Sequence, residues 1–256
     1  MPELPEVETV VRTLAPRLVG RRITAVITRT RKAWAATAAK LRGRRIERVE
    51  RYGKYILLHL DRGVGAIHLG MTGKLMGGAE PGAYTRAVLV LDQGRVVFDD
   101  VRQFGSVRWL EHPPDGLGPD ALAIAADEFV TRLAQRKGRI KALLLNQAFV
   151  RGIGNIYADE SLFRARIHPL APANRLSRER ALRLHRCIVE VLSEAVASGG
   201  SSISDYVDAD GRPGWFQFQH RVYQRTGEPC VACGAKIRRI LVAQRSTHYC
   251  PRCQRR

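Results

Sequence analysis

The chain opens Met1-Pro2-Glu3-Leu4-Pro5-Glu6-Val7-Glu8, and a residue as small as Pro2 normally permits removal of the initiator methionine. A secondary α-amine would then stand at the first position. Its ordinary pKa of about 8 lies far below that of lysine, so a good fraction is neutral and nucleophilic near neutral pH without burial. Attack of such an amine on a sugar C1′ would expel the attached base and leave an iminium. The iminium would acidify the C2′ proton and open a path to strand cleavage by elimination, with Glu3 and Glu6 available to move the protons. The same residues also make an ordinary helix start, with prolines in the first turn and glutamates complementing the helix dipole. On residue types alone both readings stand.

Four of the five cysteines fall close to the C-terminal end as Cys230-x-x-Cys233 and Cys250-x-x-Cys253. Two thiolates per turn can converge on one tetrahedral zinc, and two such knuckles close a four-thiolate site with no open position. One structural Zn2+ is therefore expected, rather than a catalytic one. Disulfide or redox use of the same pairs suits a secreted chain, and no basic-then-apolar secretory segment opens this one. The fifth, Cys187, sits on the apolar side of a helical pattern and reads as a packed core thiol.

The charge balance names a partner class. Against 24 Asp+Glu the chain carries 43 Lys+Arg, a formal net charge of +19, which requires a polyanion. Nucleic acid is the simplest, because each phosphate neutralised releases condensed counterions. A basic ribosomal or membrane-surface protein would carry similar charge, so charge sets no reaction. No apolar run approaches the roughly 20 residues of a membrane span, and the expected location is cytoplasmic. With 256 residues, 45% hydrophobic and 26% charged, the chain can build two modest domains with cores of their own.

Elements must position these groups. Val7, Val10, Val11, Leu14 and Leu18 recur at helical spacing within Pro5–Leu18, and Gly20 stops the helix. From Arg22 to about Leu110 the pattern changes to short apolar or alternating runs, predicting strands at 23–27, 55–60, 87–91 and 95–98. Asp61-Arg62-Gly63 and Asp92-Gln93-Gly94 punctuate them as antiparallel neighbours. Such strands bury their inner faces most simply as a two-sheet sandwich or flattened barrel. The turn-rich stretch His112–Pro119 reads as a linker, followed by helices at 127–136, 140–147, 155–163 and 178–198. Residues 199–219 are polar, Gly-rich and aromatic, a long loop of the kind that is functional or disordered. The expected fold class is α+β, with an N-terminal antiparallel β-sandwich and flanking helices over 1–112 and a linker over 113–126. A helical domain over 127–220 contains the loop 199–219, and a zinc-binding hairpin occupies 221–256.

Three blocks now carry a resemblance. The opening Met1 to Thr9, the segment Gly152-Ile153-Gly154-Asn155 through Phe163, and the cysteines from Cys230 to Cys253 occur in one order over nearly the full length. The chain resembles the bacterial formamidopyrimidine-DNA glycosylases, relatives of the endonuclease-eight-like enzymes. The resemblance implies a helix-two-turns-helix motif at 152–163 and a zinc finger at the end. It implies a base-excision-repair enzyme, bifunctional as glycosylase and lyase, that removes 8-oxoguanine and formamidopyrimidines from damaged double-stranded DNA. A monomer with no membrane association is expected.

It also implies roles. Pro2, Glu3, Lys54 and Arg245 match the catalytic set: Pro2 the Schiff-base nucleophile, Glu3 the acid assisting ring opening and base release. Lys54 would hold phosphates near the lesion, where an isolated strand-edge lysine is otherwise a solvated charge. Arg245, a planar donor fork on the zinc hairpin, would grip the backbone beside the flipped nucleotide. Asn155 would meet a phosphate at a helix start, where free N–H groups and the dipole favour an anion; ordinary N-capping is its other reading. Extruding a base leaves a gap, and Met71, Arg102 and Phe104 match the family's filling residues, two apolar wedges and an arginine for the orphaned base. Without the resemblance, Met71 and Phe104 would read as core. Lys141 matches a lysine linked to recognition of the oxidised base, although its helix could equally show it to solvent. The loop from Gly199 resembles a lid over the everted purine, with Tyr206 contacting it.

Two positions depart from the pattern: Val101 stands where many relatives have proline, and Tyr84 where many have histidine. Both could retune the gap-filling loop or a backbone contact. Competing expectations are the same chemistry directed at oxidised pyrimidines, as in the endonuclease-eight branch, and a catalytically silent lesion-binding protein.

Overall fold

The computed structural model describes residues 2–203 and 205–255. The chain divides into two compact units, Met1–Gly116 with Val196–Gln217, and Leu117–Ala195 with Phe218–Arg256.

The first unit begins with α1 (Leu4–Leu18), whose Val7, Val10, Val11, Leu14 and Leu18 are all buried as the spacing predicts. Eight strands follow: β1 (Ile23–Thr28), β2 (Ile46–Tyr52), β3 (Tyr55–Leu60), β4 (Val64–His68), β5 (Gly73–Gly77), β6 (Thr85–Leu91), β7 (Arg95–Asp100) and β8 (Ser106–Leu110). They form two four-stranded antiparallel sheets, ordered β1-β6-β7-β5 and β2-β3-β4-β8. The four strands expected from apolar runs are all present. Of the other four, β2 is hidden by its charges, Ile46-Glu47-Arg48-Val49-Glu50-Arg51-Tyr52, and β5 by its terminal glycines, Gly73-Lys74-Leu75-Met76-Gly77. A short helix α2 (Trp34–Ala38), also unexpected, buries Trp34. The apolar face of α1 packs into one core with Ile46, Ile56, Leu75, Leu89 and Phe98. Truncating such a residue, Leu14→Ala for example, costs about 2–5 kcal/mol.

The loop expected inside the helical domain at 199–219 differs in placement, since Val196–Gln217 packs with the β-rich unit. Its backbone is recruited by polar groups of that unit. Ser201 N–H donates to Glu6 Oε1 at 2.7 Å, Gly77 N–H donates to Ala209 O at 3.2 Å, and Arg17 pairs with Asp210 at 2.5 Å.

The second unit contains α3 (Ala126–Ala134), α4 (Ile140–Leu145), α5 (Asn155–Arg164), most of α6 (Arg178–Ala197) and the hairpin β9 (Arg238–Val242) and β10 (Arg245–Tyr249). The four expected helices are present. One buried carboxylate organises the chain leading to the hairpin: Glu160 of α5 accepts N–H bonds from Arg221, Val222 and Tyr223 at 2.8–3.1 Å. Burial raises the Glu160 pKa, and those three donors pull against it. Cys187 is buried, and burial raises its thiol pKa, as suits an inert core residue.

Candidate active site and metal centre

In the first unit, Pro2 is buried and Glu3 is the N-cap of α1, only 2% exposed. Glu3 and Glu6 form a reciprocal capping box, in which Glu3 N–H donates to Glu6 Oε2 at 2.7 Å. The helix-start reading and the chemical reading are therefore compatible, since the box fixes Glu3 next to Pro2. Glu6 does a second job through its other oxygen, which holds Ser201 N–H. That contact demands glycine at position 200, where φ is +83° and an added Cβ would lie 2.8 Å from Glu6 Oε1. Gly214 is required for the returning strand of the loop, because a Cβ there would sit 2.3 Å from Gly200 O. Ser202 ties the loop to itself, its hydroxyl donating to Tyr206 O at 2.7 Å and accepting from Gly214 N–H at 2.8 Å.

Tyr206 is partly buried against the β-rich unit. Its hydroxyl donates to the backbone oxygen of Glu6 at 3.2 Å, and its ring packs on the core beneath α1. Burial, with the Glu6 charge second, pushes its pKa up, so it stays a neutral donor. In this conformation Tyr206 fastens the loop to the segment that carries Pro2 and Glu3.

Lys54 lies with Gly53 in the two-residue turn joining β2 to β3, where Tyr52 faces Tyr55 and Gly53 takes φ +63°. It is only 8% exposed, so the solvated strand-edge reading is set aside. His68 of β4, its ring 4.8 Å from that of Tyr55 and tilted by 57°, has its pKa lowered to about 4 by burial and then by the charges of Lys54 and Arg108. A neutral imidazole thus accompanies the lysine.

Met71 and Phe104 are not core residues. They are 36% and 57% exposed, on the connections from β4 to β5 and from β7 to β8, and the Arg102 guanidinium lies 4.8 Å over the Phe104 ring. Asp100, buried and not foreseen, holds both connections. Its Oδ1 accepts from the Thr72 hydroxyl at 2.6 Å and its Oδ2 from Gly105 N–H at 2.7 Å, while Arg102 N–H donates to Thr72 Oγ1 at 3.0 Å. The connections touch backbone to backbone, since a Cβ on Gly70 would lie 2.5 Å from Gly105 N. Both departures from the family pattern border this device: Val101 is exposed in it, and Tyr84 O accepts from Asp100 N–H at 2.9 Å. The sequence signal for Asp100 was a second aspartate ending an apolar strand, where a carboxylate commonly caps a turn.

In the second unit, Asn155 is the first helical residue of α5, and the N-cap is Gly154, without a side-chain cap. The N-capping alternative is therefore corrected. Asn155 Nδ2 instead donates to Ser246 O of β10 at 3.0 Å. Gln147 shapes the entry to the helix, donating to Ile153 O at 2.9 Å and accepting from Gly152 N–H at 2.9 Å. With no acidic residue in its first turn, α5 keeps the positive end of its dipole uncompensated.

Lys141 requires the clearest correction. It is completely buried, so its helix does not show it to solvent. Its Nζ lies 2.7 Å from Asp159 Oδ1 as an ion pair, and its hydrogen bonds go to Thr247 Oγ1 at 2.8 Å and Ser246 O at 3.1 Å. Asp159 Oδ2 accepts from His248 N–H at 2.8 Å. Lys141, Asp159 and Asn155 thus grip three successive residues of β10, directly after Arg245. Arg245 itself is exposed at the hairpin tip, where Ala243 and Gln244 both take positive φ, 48° and 58°. Asp159 could have been found one helical turn beyond Asn155, at a spacing that shares a face.

Cys230, Cys233, Cys250 and Cys253 have sulfurs that all lie within 4.8 Å of one another. Cys230 Sγ is 3.9 Å from Cys253 Sγ, and Cys233 Sγ is 3.5 Å from Cys250 Sγ. A zinc tetrahedron with bonds of about 2.3 Å sets its sulfurs roughly 3.8 Å apart, so the donor set fits one Zn2+ with all four positions filled. The Ala235 N–H draws the Cys233 thiol down to about 7, whereas burial raises Cys250 and Cys253; a cation would displace the remaining protons.

Exposed apolar side chains beside an arginine and a four-thiolate metal site, on a chain of formal net charge +19, suit a protein that works on nucleic acid. The comparisons specify it further. Family models match for the formamidopyrimidine-DNA glycosylase N-terminal domain at residues 1–107 and its H2TH domain at 116–207. A third matches at 227–256, the zinc finger found in FPG and IleRS. The formamidopyrimidine-DNA glycosylase of Solibacter usitatus is 55% identical over 265 residues, covering 100% of both chains. The crystal structure of the MutM (Fpg) protein from Thermus thermophilus has a TM-score of 0.89 at 45% identity, over 99% of this chain and 98% of that one. A Lactococcus lactis Fpg variant in complex with Fapy-dG-containing DNA gives 0.91 at 35% identity over 100% of both. The chain belongs to the formamidopyrimidine-DNA glycosylase family, the bifunctional glycosylases and lyases of base excision repair. Among the described residues no helix is long and apolar enough to cross a membrane.

Proposed function

We propose that this chain excises oxidised purines, 8-oxoguanine and formamidopyrimidines, from damaged duplex DNA through its own N-terminal amine. Pro2, freed of Met1, attacks C1′ of the lesion nucleotide as the C1′–N bond to the base breaks, and Glu3 assists release of the base and protonates O4′ as the C1′–O4′ bond opens to the iminium. Loss of the C2′ proton from the resulting iminium expels the 3′ phosphate, and water then releases the sugar fragment from Pro2. Lys54 and Arg245 hold the phosphates, α5 offers its positive end to the backbone beside Asn155, and Met71, Arg102 and Phe104 occupy the gap. Lys141 acts from within the protein, by fixing the strand that bears Arg245. The enzyme works as a monomer in the cytoplasm.

The observation that carries this reading is the capping box: Glu6 fixes Glu3 beside Pro2 and, with the same carboxylate, anchors the loop at Ser201. The solved Lactococcus lactis relatives bound to Fapy-dG-containing and abasic-site-containing DNA support the choice of substrate. Borohydride trapping tests it. Enzyme lacking Met1 should form a covalent adduct with an 8-oxoguanine duplex, mapped to Pro2, and enzyme retaining Met1 should bind the duplex without forming one. Absence of any adduct would favour a silent lesion binder, and faster turnover on thymine glycol would move the chain to the oxidised-pyrimidine branch.

A further inference from the structure

The second unit carries two adjoining cavities lined by arginines, the second of them beside the zinc ligands Cys233 and Cys253. Arg139, Arg175 and Arg180 surround the first, about 450 Å3, whose remaining lining is Leu170, Ala171, Pro172 and Leu176. The second, about 650 Å3, shares Arg180 and adds Arg166, Arg252 and Arg255. Six guanidiniums and no carboxylate line the pair. Among the described residues none of the six forms an ion pair, whereas Arg132, Arg151, Arg164, Arg178 and Arg225 of the same unit each have an acidic partner.

The floor of the first cavity is fixed by backbone hydrogen bonds: Ile140 N–H donates to Ala171 O at 2.9 Å and Ala173 N–H to Gly138 O at 2.9 Å. The cavities sit at the base of the zinc hairpin, since Arg252 and Arg255 follow β10 while Arg245 begins it. Four residue steps of strand separate Arg245 from Tyr249, roughly 13 Å. The lining includes none of the residues to which a role on DNA is given above.

We propose that these cavities are a docking site for an acidic peptide segment of a partner protein, one that carries a bulky apolar side chain among its carboxylates. The apolar side chain fills the space beside Leu170 and Leu176, and the carboxylates accept paired N–H bonds from Arg175 and Arg180 and, further along, from Arg252 and Arg255. A nucleic-acid backbone satisfies only half of this arrangement. Phosphates would meet the guanidiniums but leave the apolar floor uncovered, and neither cavity offers an aromatic ring on which a base could stack. Arginine around an apolar centre is also the composition of protein interfaces.

Fluorescence polarisation on the full zinc-loaded chain tests the site, with a fluorescein-labelled peptide Asp-Asp-Glu-Asp-Leu-Phe as probe. Saturable binding is expected that weakens as salt is raised. Affinity should fall about tenfold or more in the Arg175→Glu, Arg180→Glu double variant, and also when the peptide's Leu-Phe is replaced by Ser-Ser. Turnover on an 8-oxoguanine duplex, unchanged in the double variant, verifies its fold. The proposal is overturned if the probe does not saturate, or if the charge reversals or the loss of Leu-Phe leave affinity intact. Loss of undamaged-duplex affinity with peptide binding unaltered would instead assign the surface to nucleic acid.

Discussion

The two connections of the β-rich unit that carry Met71, Arg102 and Phe104, and the hairpin of the helical unit, solve one problem by different means. Each presents exposed residues, Met71, Arg102 and Phe104 in one case and Arg245 in the other, and each is held by a buried aspartate that uses its two oxygens separately. Asp100 is bound by neutral donors, a hydroxyl and an N–H, between connections drawn together through glycines. Asp159 is bound by a buried ammonium and a strand N–H, and the hairpin beyond it is closed by four thiols. The first arrangement is local to residues already held by two sheets. The second substitutes charge and metal for a core, because the two-stranded hairpin β9–β10 has few apolar residues to bury, and such a hairpin is marginal by itself.

The largest expected effect belongs to the metal. Structural zinc contributes about 10–16 kcal/mol in isolated finger peptides. Cys250→Ser, or chelation, should release one zinc and abolish tight binding of a lesion duplex, with the strand signal of the β-rich unit retained in circular dichroism. Undiminished duplex affinity in metal-free protein would remove the distinction between the two regions.

Next is the buried ion pair. Asp159→Ala leaves the Lys141 ammonium enclosed without its counter-charge, at a cost of about 3–5 kcal/mol, and hydrogen exchange should accelerate at Ser246, Thr247 and His248. Combining Asp159→Leu with Lys141→Met should recover most of the stability, because apolar replacement of a whole buried pair is often neutral. If Lys141 instead contacted the lesion directly, the double variant would be stable and still fail to discriminate 8-oxoguanine from guanine.

Asp100→Ala should do less, about 1–3 kcal/mol for each donor left unsatisfied. The zinc content should not change, and base excision should slow more than binding to an abasic product weakens. An equal loss in both would mean that Asp100 supports the fold alone.

The smallest effect is one of pH. Burial lowers His68 and His220, one in each unit, from 6.5 to about 4. The folded protein therefore binds fewer protons there than the unfolded chain. Their contribution is complete above pH 6.5 and is lost as pH falls from 6.5 towards 4. Denaturant titrations across that window should show stability declining with acid, and His68→Gln should flatten the part that belongs to the β-rich unit. A slope unchanged by the substitution would place the titration elsewhere.

Composition, spacing and motif order told much of this in advance. Four cysteines in two Cys-x-x-Cys pairs specify a tetrahedral metal site, because ligand spacing is a local property of the chain. The period of Val7, Val10, Leu14 and Leu18 specifies a buried helix for the same reason. Strands made of Glu and Arg, such as β2, gave no such signal, since their place is set by the neighbour they pair with. Met71 and Phe104 read as core by side-chain type, and only the meeting of two connections over Asp100 turns them outward.

What the sequence determined by itself was therefore the chemistry available and the order of its parts: an amine that can be freed, acids beside it, thiols for zinc, and a surplus of positive charge. The tertiary structure decided which charged groups stay accessible. Lys141 and Arg245 are both cations in this chain, yet one is sealed against Asp159 and the other stands at a hairpin tip. Burial and pairing depend on contacts between residues far apart in sequence, such as Lys141 with Thr247 and Glu6 with Ser201, and no local pattern encodes those distances.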